Sequence, residues 1–230
     1  MKRIFATSLI LALVFIKGLS AQTKTRNFKW FVGSDIKGFV LQPVSSLGDR
    51  NLKYNFTPNG SLTAVLKRNF FGELQLGYQV YKSDGYDSNL EDFSTNGLYS
   101  KLIIGVQTTN NLIRGGIGFF TSFYKQQGQV TLGENYFEPA IFPFENSYNL
   151  SGVLYTLGVN VPLKGDRLLL GLDINLYFIN WNSDPVTDSA LDRPLLVPGI
   201  GRSGQFSDSY AAMNFGLLLR YRLGAIEADR

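Results

Sequence analysis

A two-residue alternation, repeated in eight segments, constrains this chain more than any other feature. "RLLLGLDINLYFINW" (167–181) displays it best. Leu168, Leu170, Leu172, Ile174, Leu176 and Phe178 form an unbroken apolar row, with Gly171, Asp173, Asn175 and Tyr177 between them. Successive side chains of a strand point to opposite faces, so such a row is one face of a strand and does not fit a helix. The same period runs through 28–39, 60–67, 71–81, 97–106, 112–123, 150–161 and 210–223. Eight strands are predicted, and no segment has helical periodicity.

The connections between these segments alternate in length. Brief turns at 68–69, 107–111 and 162–166 follow the second, fourth and sixth strands. Long connections near 40–60, 82–96, 124–149 and 180–209 follow the others. Short turns at one end and long loops at the other fit an antiparallel up-and-down transmembrane β-barrel, whose long loops are extracellular and whose termini are periplasmic. A soluble sandwich has no reason to alternate in this way.

The second face of each strand decides which solvent the apolar row meets. A soluble ligand-binding barrel turns its apolar row inward and covers its exterior densely with charge. Here the second face is rich in glycine, amides and hydroxyls and sparsely charged, which suits a crowded interior. The apolar row is therefore expected to face lipid. Several rows reach the 9 to 11 residues that a tilted strand needs to cross a bilayer. Aromatics near strand ends (Phe28, Trp30, Phe123, Phe178, Trp181, Tyr221) fit two interfacial girdles.

Lys2 and Arg3, the apolar stretch 4–16 and "GLSA" (18–21) read as a secretory signal cleaved before Gln22, leaving 22–230 as the barrel. The chain has no cysteine, so neither lipid attachment at a cysteine nor a disulfide is expected. Removing the signal leaves 19 cations against 18 acids, a net +1. No basic patch or stripe stands out, and nucleic acid is not an expected partner.

The architecture resembles the small eight-stranded outer-membrane barrels of the OmpA-transmembrane and OmpX type, over about residues 28–223. Within "NFGLLLRY" (214–221), Asn214, Gly216, Leu219 and Tyr221 resemble the last-strand β-signal read by the barrel assembly machinery, although 225–230 follow it. "IRGGIGFFTSFY" (113–124) resembles small uncharacterised bacterial barrel families. The resemblance implies a Gram-negative outer membrane, lipid contact, and the assembly machinery as a partner at least during biogenesis.

With no histidine, every His-dependent mechanism falls away, and with it the commonest metal and haem ligand. No pair of carboxylates stands in register for a hydrolase, so neither an enzyme nor a cofactor is expected. "GIGRSG" (199–204) matches G-x-G-x-x-G but lies in the longest loop without the strand and helix that a dinucleotide site requires.

Parity places Asp35, Glu73, Lys101, Arg114, Asp173, Arg220 and Arg222 in the lumen. Buried charges must pair. Asp173 is expected to meet a cation such as Lys101 or Arg114. An eight-stranded barrel is only wide enough for side chains to fill it, so a salt-bridged plug is expected in place of a conducting pore.

The loops "NYFEPAIFPFENSY" (135–148) and "LDRPLLVPGIG" (191–201) are apolar and proline-bearing. Tyr136, Phe137, Ile141, Phe142, Phe144, Leu195, Leu196 and Val197 are the candidate contacts. Either they dock another outer-membrane or surface protein, or the loops bury each other over the barrel mouth. The preferred functional expectation is a non-enzymatic accessory or scaffold subunit of a larger outer-membrane assembly, such as one for protein assembly or secretion. The alternatives are a free-standing surface barrel for adhesion or membrane integrity, and a narrow small-solute channel.

Overall fold

The computed structural model describes residues 29–36, 52–66, 69–87, 90–132, 140–165, 167–180, 196–202 and 209–223. Its strands are β1 (Lys29–Asp35), β2 (Leu52–Phe56), β3 (Asn59–Val65), β4 (Phe70–Asp87), β5 (Leu90–Gln107) and β6 (Ile113–Leu132). They are followed by β7 (Ala140–Lys164), β8 (Leu168–Asn180), β9 (Leu196–Val197), β10 (Gly201–Arg202) and β11 (Ser209–Leu223). β2 and β3 together make one stave, interrupted at Thr57-Pro58, where proline has no N–H to give a ladder. β1, β2/β3, β4, β5, β6, β7, β8 and β11 pair antiparallel in order, and β11 closes on β1. The fold is an eight-stranded up-and-down barrel.

The registers fix its geometry. Stepping through paired residues from Gly33 leads to Ser61, Gln75, Lys101, Phe120, Gly152, Ile179 and finally Tyr210. Gly33 itself pairs with Arg220, so one circuit returns ten residues away along β11. That stagger over eight strands tilts them by about 40° to the barrel axis.

Three tight turns close one end, and each contains a left-handed residue: Asn69 (φ 65°), Asn111 (φ 59°) and Gly165 (φ 56°). Asparagine and glycine are the residues that tolerate this conformation. The start of β1 and the end of β11 lie at the same end, where Trp30 pairs with Leu223.

The long connections differ from expectation. Much of 82–96 and 124–149 is strand, because β4 runs to Asp87, β5 starts at Leu90, β6 runs to Leu132 and β7 starts at Ala140. The alternation continues there in mixed polar and aromatic form, with Phe93, Thr95, Tyr124, Gln126 and Val130 buried on the inner side. Without an aliphatic row opposite them, those positions did not read as strand. β7 shares its last rung with β8 at Gly152↔Ile179, while its pairing with β6 continues to Ala140↔Leu132. β4 to β7 thus rise past the barrel as a wall. The connection at 180–209 contains the β9–β10 hairpin, and that at 40–60 contains β2 and the start of β3.

Side-chain direction follows the predicted parity. Most residues of the rows expected outside are exposed or half-exposed, with Leu157 at 60% and Ile104 at 58%, while Ala64 is covered. Polar and charged groups are inside: Arg114 is 1% exposed and Glu73 2%. On β7 the outward row from Val153 to Leu163 covers ten residue steps; at this tilt it is roughly 25 Å tall, the height of an apolar membrane band. Trp30, Phe70 and Tyr221 face outward near the short-turn end, and Tyr78 and Phe178 near the other. Phe28 and Trp181 lie outside the described residues.

Candidate functional site: the barrel lumen

The lower lumen, nearest the short turns, is filled by charge. Glu73 on β4, Arg114 on β6, Asp173 on β8 and Arg220 on β11 form a closed alternating ring. Arg114 Nη1 donates to Glu73 Oε2 at 2.8 Å, and Arg220 Nη2 donates to Asp173 Oδ2 at 2.8 Å. The other two sides of the ring are longer, Arg114–Asp173 at 3.4 Å and Arg220–Glu73 at 3.6 Å. Two acids and two cations cancel. Thr63 Oγ1 also donates to Glu73, Arg220 Nη1 donates to Asn160 Oδ1, and Arg114 lies 4.6 Å above the Phe71 ring. A buried charge is tolerated when its partners also satisfy its hydrogen bonds, and this network does so in part, leaving Arg114 Nε and Nη2, Arg220 Nε and Asp173 Oδ1 without one among the described residues.

The ring fits because glycine surrounds it. A Cβ at Gly158 would run into the Asp173 carboxylate, and one at Gly171 into the Arg220 guanidinium and the Asn160 amide. The inward glycines that parity placed opposite the aliphatic row are therefore space for charged side chains.

The remaining predicted lumen charges stand apart from the ring. Lys101 is buried but makes no ion pair among the described residues; its ammonium sits 5.3 Å from the Tyr99 ring centroid and 5.4 Å from that of Tyr177. Asp173 thus meets Arg114 and Arg220, with Lys101 left to the tyrosines. Asp35 is half-buried, and its Oδ1 accepts from the Leu217 backbone N–H at 3.3 Å. Arg222 is half-buried near the short turns, below the ring. Sequence reading does not single out Thr63, Asn160, Phe71, Tyr99 or Tyr177, although parity puts Tyr177 opposite the apolar row of 167–181.

A polar cavity adjoins the ring, lined by Asp35, Gln75, Lys101, Asn175, Asn214 and Gly216 among others. Its volume of about 10 Å³, traced by the centre of a water-sized sphere, has room for about one ordered water. Asp173 Oδ1 is buried beside it with no hydrogen-bond partner among the described residues. No group of His, Cys, Asp and Glu among the described residues is arranged to hold a metal ion.

The apolar loop candidates divide. Ile141 and Phe142, at 56% and 50%, stand exposed on the wall at the start of β7. Phe144 is half-buried against a cluster of Tyr81, Leu90, Phe93, Val130 and Leu196. Leu196 and Val197, for which docking to a partner and burial over the barrel mouth were both open, are buried: the β9–β10 hairpin folds inward and packs its apolar side chains inside the chain's own barrel, so these two are corrected from contact candidates to core. Tyr136, Phe137 and Leu195 lie outside the described residues. In the signal-like last strand, Asn214 and Gly216 point inward, whereas Leu219 and Tyr221 belong to the outward row.

No family model and no curated protein matches the sequence. Among solved structures, the chain is similar to the crystal structure of Neisserial surface protein A (NspA), at 11% identity. The likeness covers 85% of this chain and 96% of that one with a TM-score of 0.39, a level that carries no argument about activity or partner.

Proposed function

We propose that the chain is an integral outer-membrane barrel with periplasmic termini, and that it serves as a non-enzymatic accessory or scaffold subunit of a larger outer-membrane complex. Protein assembly or secretion is the process such a subunit would serve. The membrane reading is supported by the inversion of the fold, with an aliphatic exterior about one bilayer core in height around a charged interior. A role in transport is disfavoured by the ring of Glu73, Arg114, Asp173 and Arg220, which ties four staves together across the lower lumen.

The docking reading rests on the wall. β7, paired with β6, extends well past its last rung with β8 and carries Ile141 and Phe142 exposed on that paired extension. Apolar side chains held in this way mark contact surfaces. Full-length Ile141→Asp/Phe142→Asp protein, solubilised in mild detergent, should lose the protein that co-purifies with the wild type while keeping its folded, heat-modifiable mobility. An unchanged set of co-purifying proteins would overturn docking through this tip. Absence of any stable companion from the wild type would favour a free-standing barrel.

A further inference from the structure

Above the charged ring, the barrel strands do not fill the lumen alone. β9 and β10 pair with each other in a separate two-stranded sheet. Among the described residues no main-chain hydrogen bond joins this hairpin to a barrel strand. Even so, Val197 and Ile200 lie within the apolar cluster of Tyr99, Phe120, Leu154 and Tyr177. The turn is closed by the Ile200 N–H donating to the Val197 carbonyl at 3.0 Å, and Gly199 at its tip has φ 79°.

Two side chains converge on the tip. Tyr177 Oη and Asn214 Nδ2 donate to the Gly199 carbonyl at 3.2 and 3.4 Å. A Cβ on Gly199 would enter the Tyr99 ring, so only glycine fits. Lys101 lies against Tyr99 and Tyr177 as well, 5.3 and 5.4 Å from their ring centroids. Apolar walls with a few convergent polar groups are how proteins bind a separate ligand.

We infer that the upper lumen is a binding socket for an apolar Pro-Gly turn, gripped by its carbonyl, and that the chain's own hairpin occupies it as an exchangeable intramolecular ligand. Leu196 anchors the hairpin against the inner face of the wall, and Val197, Gly199 and Ile200 enter the socket. A turn of the same chemistry supplied in trans, from a peptide or a partner protein, competes for the same place.

The natural absence of cysteine permits a direct test in the full-length protein in proteoliposomes. A Leu154→Cys reporter sits in the socket wall at a fully buried position. Water-soluble maleimide should label it slowly when the hairpin is native. Adding Gly199→Val, or replacing 196–202 by a short Gly-Ser linker, should speed labelling on the order of tenfold as the socket opens. The peptide Leu-Leu-Val-Pro-Gly-Ile-Gly, copied from 195–201, should slow it again, and the same peptide with valine for its turn glycine should not. Heat-modifiable mobility identifies the variants that keep the barrel, and the linker version serves if Gly199→Val does not. Slow labelling after the hairpin is removed would overturn the socket, and so would fast labelling that the native peptide leaves unchanged.

Discussion

The lower and upper halves of the lumen are filled by opposite means. In the lower half, side chains of the staves themselves meet in a neutral ring of Glu73, Arg114, Asp173 and Arg220. In the upper half, a hairpin from outside the ring of strands enters and is held by apolar contact and one carbonyl. The lower filling belongs to the barrel wall, and removing any part of it leaves a charge behind. The upper filling can be withdrawn as a unit. One barrel thus combines a permanent seal with a removable one.

Breaking the lower seal should have the largest effect. Arg114→Met leaves Glu73 without its 2.8 Å partner and should cost about 3–5 kcal/mol of stability, read as a lower urea midpoint in detergent. Adding Glu73→Gln to that variant should recover part of the loss, because the orphaned charge is gone. A double variant no more stable than Arg114→Met would mean that the ring is not electrostatically coupled.

Outside the barrel the corresponding test is Leu157→Arg. At this outward mid-band position a lipid-facing arginine should cost about 2–4 kcal/mol, whereas in a water-soluble barrel it would be close to neutral. Reversible unfolding from lipid vesicles measures it. Gly158→Ala should have a smaller effect, about 1–3 kcal/mol, since the new methyl must displace the Asp173 carboxylate. The smallest belongs to the exposed wall pair Lys125–Glu145: despite its 2.6 Å contact, Lys125→Ala should change stability by less than about 1 kcal/mol.

Much of this is legible in the amino-acid sequence alone. Parity along "FGELQLGYQVY" put Glu73 inside, and the same reasoning placed Lys101, Arg114, Asp173 and Arg220 there. Their partners were not legible. Asp173 and Lys101 both face the lumen, yet Asp173 pairs with Arg114 and Arg220 while Lys101 sits higher, among tyrosines. The wall was missed because its alternation sets polar residues against mixed aromatic and polar ones. The place of the hairpin is not legible for another reason: "LLVPG" is apolar, and sequence leaves open whether such a loop meets a partner or its own barrel.

The sequence by itself determined the number of staves, the end at which the short turns lie, and the face on which each side chain of an apolar-rowed segment falls. Period two fixes a face wherever the two sides meet different surroundings. The tertiary structure decided height and company. Face assignment carries no information about level along the barrel axis; that comes from the ten-residue stagger, which exists only once all eight staves close. Closure brings four distant charges into one ring and leaves above them the space into which 196–202 folds.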